Sequence, residues 1–87
     1  MRVLGVVALA RKRLDEAEQA LTEALRIARE LKLRLLEGEA LLGLGRLARL
    51  QSDAPRAYNL QQQAETVFSD IGAQAWGEQV RRRMDAL

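Results

Sequence analysis

Apolar residues recur at three- and four-residue intervals along nearly the whole chain, the spacing that builds one face of a helix. The first stretch, Met1 to about Lys12, carries Val3, Leu4, Val6, Val7, Leu9 and Ala10 and is apolar nearly all round. A second helix is expected to open at Leu14, with Asp15, Glu16 and Glu18 where a helix N-terminus favours acids. Its stripe is Ala17, Leu21, Ala24, Leu25, Ala28 and Leu31, and Arg26, Arg29 and Lys32 complement the dipole at its other end. A third runs from about Leu35 to Leu50, with Leu41, Leu44, Leu47 and Ala48 as core candidates. Gln51-Ser52-Asp53-Ala54-Pro55 is the clearest break, because Ser52 or Asp53 can cap a helix and Pro55 is tolerated only in its first turn. The fourth helix carries Ala57, Leu60, Ala64, Val67, Phe68 and Ile71, with Gly72 expected as its left-handed C-terminal cap. A closing helix, about residues 74–87, aligns Trp76, Val80, Met84 and Leu87. The pattern predicts an all-α domain over residues 1–87.

Shifting the chain against itself by forty residues exposes a repeat. Leu4, Gly5, Ala8, Ala17 and Ala24 coincide with Leu44, Gly45, Ala48, Ala57 and Ala64. Val7/Leu47, Ile27/Val67 and Leu31/Ile71 are near-matches. Most shared positions are small, as they must be where two helices of a hairpin approach closely and larger side chains would overpack.

These hairpins resemble tetratricopeptide repeats. An apolar residue, Leu-Gly and a second small residue mark the first helix of that pattern, here Leu41, Leu44-Gly45 and Ala48. Two alanines seven apart, Ala57 and Ala64, mark the second. Gln61 stands where a large aromatic is usual, and Ser69 where Pro is common. The forty-residue period exceeds the usual length of about 34 and is similar to the variant in large bacterial signalling proteins. Phe68 to Glu78 looks like the close of the arrays in LuxR-type ATP-dependent transcription regulators. The resemblance implies an α-α superhelix of two hairpins (about 1–33 and 35–72) and a closing helix. It also implies a non-catalytic protein-binding role. By position, the family's concave peptide groove would include Arg2, Val6, Leu9, Glu39, Leu42, Arg46 and Arg49. Arg46 and Arg49 would suit an acidic-apolar peptide through charge-assisted hydrogen bonds.

Composition narrows the chemistry. The 87 residues include no Cys and no His, which removes thiolate chemistry, the commonest general base and the commonest transition-metal ligand. No cofactor or metal is expected. Gly43-Leu44-Gly45-Arg46-Leu47-Ala48 reads G-x-G-x-x-A, but a dinucleotide site needs a strand before the glycines, and here they fall inside a helix. Asp15, Glu16, Glu18, Glu37 and Glu39 read as solvated charges, since carboxylates one or two apart on a helix do not face each other. The net charge is +2, spread evenly over both halves. Arg11-Lys12-Arg13 and Arg81-Arg82-Arg83 point in several directions around a helix, so nucleic acid is not the expected partner.

The first ten residues are shorter than a signal peptide and far shorter than a membrane span, so a cytoplasmic protein with no membrane partner is expected. The first repeat also lacks the opening turn of its first helix. A helix apolar all round must be covered on all sides. The second helix can cover only part of it, so a homodimer is expected, with Val3, Val6 and Leu9 on its face.

Overall fold

The computed structural model describes the backbone of residues 2–86 and the side chains of residues 10–79 and 81–84. Among the described residues there are three α-helices and no strand: α1 (Arg2–Glu30), α2 (Arg34–Leu50) and α3 (Ala54–Ala86). α2 is central and packs on both α1 and α3. The all-α expectation holds.

Two tight corners join the helices, and both use the same hydrogen-bond pattern. At the first, Leu33 N–H donates to Ala28 O at 2.8 Å and Lys32 N–H to Arg29 O at 3.3 Å. At the second, Asp53 N–H donates to Ala48 O at 2.8 Å and Ser52 N–H to Arg49 O at 3.1 Å. This is the Schellman closure, which needs a left-handed residue just past the helix. Lys32 (φ 56°) and Ser52 (φ 61°) occupy that place. Asp53 then caps α3, its Oδ1 accepting from Arg56 N–H at 3.3 Å. The break at Gln51–Asp53 therefore lies where the sequence puts it.

Two other expected breaks do not form. α1 runs unbroken through Arg11-Lys12-Arg13-Leu14, where a second helix was expected to start. Those residues are good helix formers, and none is a capping residue or Pro. α3 runs unbroken through Gly72, which is not a left-handed cap. A Cβ at Gly72 would meet nothing within 4 Å, so nothing packs there to force a turn. Five expected segments thus become three helices of 29, 17 and 33 residues.

The core lies between α2 and its neighbours: Leu25, Ala40, Leu41, Leu44, Ala64 and Val67, with Leu21, Ala24, Leu60, Phe68 and Ile71 against it. Leu41 is the largest fully buried side chain. Among the described glycines, Gly38 and Gly43 have the tightest surroundings. A Cβ at Gly38 would lie 2.7 Å from the Phe68 ring, and one at Gly43 3.0 Å from the Leu21 methyls. At Gly45, which the repeat pattern marks, it would make ordinary contacts at 3.6 Å.

These contacts set the register. Leu21 meets position 43 and Arg29 meets Glu37, so the end of α2 at Leu50 falls opposite about residue 15 of α1. Gly38 meets Phe68 and Arg34 meets Asp70, so the start of α2 falls opposite about residue 72 of α3. The first part of α1 and the last part of α3 therefore project from opposite ends. The molecule measures 72 × 24 × 18 Å. Its radius of gyration is 18.1 Å, against about 12 Å for a compact chain of this length.

Candidate protein-binding surface

α2 presents four of the expected groove positions. Its inner positions, Leu41, Leu44, Leu47 and Ala48, are consumed by the core, which turns positions 39, 42, 46 and 49 outward on a single stripe. Glu39, Arg46 and Arg49 are exposed and Leu42 is half-buried. Beside them lies a cleft between α2 and α3, about 200 Å³ in volume and lined by Leu42, Gly45, Arg46, Arg49, Ala57 and Gln61. Its floor is apolar and its rim is cationic. Arg49 donates from Nη2 to Gln61 Oε1 at 3.3 Å, and Gln61 Nε2 donates to Glu65 Oε1 at 3.5 Å. Gln61, in the place usual for a large aromatic, is one of the residues lining this cleft. Among the described residues neither arginine makes an ion pair with a carboxylate.

The other three residues expected in the groove, Arg2, Val6 and Leu9, and the expected dimer face of Val3, Val6 and Leu9, have side chains outside the described residues. Their backbone belongs to the projecting first turns of α1.

A second cleft, about 740 Å³, opens where the α1–α2 corner meets α3. It is lined by Arg29, Lys32, Arg34, Glu37, Asp70, Ala73 and Gln74. Here the reading of the carboxylates as solvated charges needs correction at one position. Glu37 is buried. Its Oε1 accepts from Arg34 Nη1 at 2.9 Å and its Oε2 from Arg29 Nε at 3.4 Å. Arg34 Nη2 donates onward to Asp70 Oδ2 at 2.9 Å. The network joins all three helices. The signal was present in the sequence, since Glu37 shares a helical stripe with Leu41, Leu44 and Ala48. Glu18 is also engaged, with Arg56 Nη2 at 2.8 Å, tying α1 to the start of α3.

Large apolar side chains are exposed elsewhere too, Leu50 and Tyr58 beside the second corner among them. Ile27, Leu31, Leu33, Leu35 and Leu36 cluster around the first corner. Trp76 and Met84 stand on the projecting end of α3, where Trp76 is 65% exposed. Among the described residues no helix is long and apolar enough to cross a membrane.

A central helix packed antiparallel between two others, with small residues at fixed contacts and a forty-residue repeat, agrees with a family comparison. The family model described as Tetratricopeptide repeat matches residues 1–70. The chain belongs to the tetratricopeptide repeat family. Comparison with curated proteins and with solved structures gives no match. Tetratricopeptide repeats are as a rule interaction modules and not catalysts, and that sets the class in which this surface is read.

Proposed function

We propose that the chain is a non-catalytic protein-interaction module, cytoplasmic in setting, whose α2 outer face binds an extended acidic-apolar peptide segment. The cleft beside α2 carries the reading: an apolar floor of Leu42, Gly45 and Ala57 under a rim of Arg46 and Arg49. An apolar side chain of the peptide fits the floor, and its acidic neighbours meet the guanidinium groups, the donors best shaped for carboxylates. Glu39 at the other end of the stripe disfavours acid there, giving the peptide a direction. Arg2, Val6 and Leu9, the other expected groove positions, lie on the part of α1 that projects past α2, and Val3, Val6 and Leu9 would serve pairing of two chains. In this reading the repeats span about 1–33 and 35–72, and the end of the continuous α3 takes the place of the closing helix expected at about 74–87.

A labelled peptide alternating Glu and Leu, titrated by fluorescence anisotropy, tests the proposal. Arg46→Ala and Arg49→Ala together should weaken binding at least about tenfold, since hydrogen bonds to charged groups contribute about 1.5–3 kcal/mol each. Arg82→Ala, on the far end of α3, should leave it unchanged. Equal losses in both variants would reduce the attraction to net charge and refute the site.

A second reading, that the chain closes a longer array in a bacterial LuxR-type regulator, draws support from the outer surface of α3. Gln61, Gln62, Glu65, Thr66 and Ser69 are exposed there, the polar outer face that a terminal repeat needs.

A further inference from the structure

We propose that two copies of this chain exchange their N-terminal helical segments: residues 2–10 of each lie along positions 17–24 of the other, in the place that α2 takes on α3. The proposal deepens the reading of the chain as a pairing module by naming the partner surface and the geometry.

The molecule contains its own template. Positions 42–50 and 54–70 are the repeat equivalents of 2–10 and 14–30. In the second repeat these segments pack antiparallel as α2 and α3, joined by the corner at Ser52. The stripe on α3 that receives α2 is covered: Ala57, Ala64 and Val67 are buried, and Leu60 and Ile71 are half-buried. The equivalent stripe on α1 is not. Ala17 and Ala24 are half-buried, while Ala20, Ile27 and Leu31 are exposed.

The segment that would cover the first part of this stripe cannot reach it within one chain. α1 is a single helix from Arg2 to Glu30. Residues 5 and 20, whose equivalents Gly45 and Leu60 touch, stand about 22 Å apart along it. The corner is absent because its residues are absent. Ser52, Asp53 and Pro55 correspond to Lys12, Arg13 and Asp15. The left-handed position, the cap and the helix-starting Pro are all replaced by residues that allow the helix to continue.

A second copy supplies what the first cannot reach. Laid antiparallel with the spacing of α2 on α3, two α1 helices place Gly5 beside Ala20 of the partner, as Gly45 lies beside Leu60. The two-fold axis then falls between Lys12 and Arg13, and each receiving stripe gains an apolar helix bearing Val3, Leu4, Val6, Val7 and Leu9. Consecutive residues point about 100° apart, so the basic triplets do not all face each other at the axis. Area is sufficient. The chain exposes 7047 Å², against about 5,200 Å² for a compact protein of its mass, and a stable pair needs about 800 Å² per partner.

Crosslinking tests this, since the chain has no Cys of its own. A Cβ at position 45 lies 3.6 Å from Leu60 Cβ, within disulfide range. Mixing Gly5→Cys chains with Ala20→Cys chains under oxidation should give a covalent heterodimer, with little product from either alone. Self-linking of Gly5→Cys alone would put first helix against first helix, leaving pairing intact and overturning the exchange. An internal link in a dilute Gly5→Cys/Ala20→Cys chain would show a closed hairpin, also overturning it. A 9.8 kDa mass for the unaltered chain at every concentration in light scattering would overturn pairing altogether. Finally, Lys12→Ser/Arg13→Asp/Asp15→Pro, which restores the corner, should halve the mass while keeping the helicity. An unchanged dimer would refute the exchange and spare the pairing.

Discussion

Arg34 offers a controlled comparison of what burial does to an ion pair. It donates to two carboxylates at the same distance, 2.9 Å, from the two ends of one guanidinium. Glu37 has a side chain 11% exposed, and that of Asp70 is 55% exposed. Glu37→Gln and Asp70→Asn each remove one charge with little change of shape. An exposed pair contributes about 0–1 kcal/mol, because water and salt screen it and two side chains must be ordered. A charge-assisted bond is roughly twice as strong as a neutral one, and bonds to charged groups contribute about 1.5–3 kcal/mol. Glu37 has a second arginine, Arg29 at 3.4 Å, whose contribution is weaker at that length. Glu37→Gln should therefore cost about 1–2 kcal/mol, and Asp70→Asn less than about 0.5 kcal/mol. Both arginines keep partial access to water, so neither is stranded as a buried charge, which holds the cost below the 3–5 kcal/mol of a fully buried break. Urea melts followed by circular dichroism, at one fixed chain concentration, give the two values. In thermal melts about 1 kcal/mol is a shift of about 4–8 °C for a chain of this size. Raising the salt should shrink the Asp70 effect and leave most of the Glu37 effect. Equal costs for the two variants, or a Glu37 effect abolished by salt, would refute the claim that this network works as a partly desolvated clamp.

Other perturbations separate the remaining contacts. Ala64→Leu, in the core between α2 and α3, should cost about 1–3 kcal/mol in the same melts. Ala57→Leu should cost less, because Ala57 borders the open cleft and the longer side chain can enter it. Gly38→Ala drives a methyl into the Phe68 ring, so it should destabilise the fold despite a gain of about 1 kcal/mol in helix propensity. Phe68→Leu in the same chain should relieve most of that loss. Lys32→Gly should stabilise by about 0.5–1 kcal/mol, the left-handed cost of about 1–2 kcal/mol less the added freedom of the unfolded chain. The Glu23 carboxyl accepts hydrogen bonds from Arg26, which hold its pKa below the ordinary value and outweigh slight desolvation. Its contribution is thus present above the unfolded pKa and lost as pH falls through the folded one. An NMR titration should find its midpoint low in the native chain and normal in Arg26→Gln.

The core was legible because it depends only on periodicity. Leu41, Leu44, Leu47, Ala48, Ala57, Ala64 and Val67 sit on the predicted stripes and are all buried. The corner at Ser52 was legible because a cap, a short polar run and Pro stand together. The close approaches were not. Both Gly38 and Gly45 lie in α2, but which glycine is sterically required depends on the side chain opposite. Phe68 faces position 38, whereas Ala57 and Leu60 face position 45. That pairing is a matter of helix register, which the spacing along one strand of sequence does not contain.

The two continuous helices teach a different lesson. A repeat predicts that equivalent segments meet, and the small residues at positions 5, 8, 17 and 24 keep the contact pattern of 45, 48, 57 and 64. A corner depends instead on the three or four residues that must leave the helix. In the first repeat the contact residues are retained while the corner residues are replaced by helix formers. Packing preference and chain path then point to different answers. The backbone follows the local one, because no capping residue or Pro at 11–14 replaces the hydrogen bonds that a break would forfeit. The packing preference is not thereby removed. It is left as an uncovered stripe on α1 and an apolar segment carried about 20 Å beyond α2. Those two surfaces match each other by repeat position and cannot meet within one continuous helix, and that mismatch is what the proposed exchange between two chains would resolve.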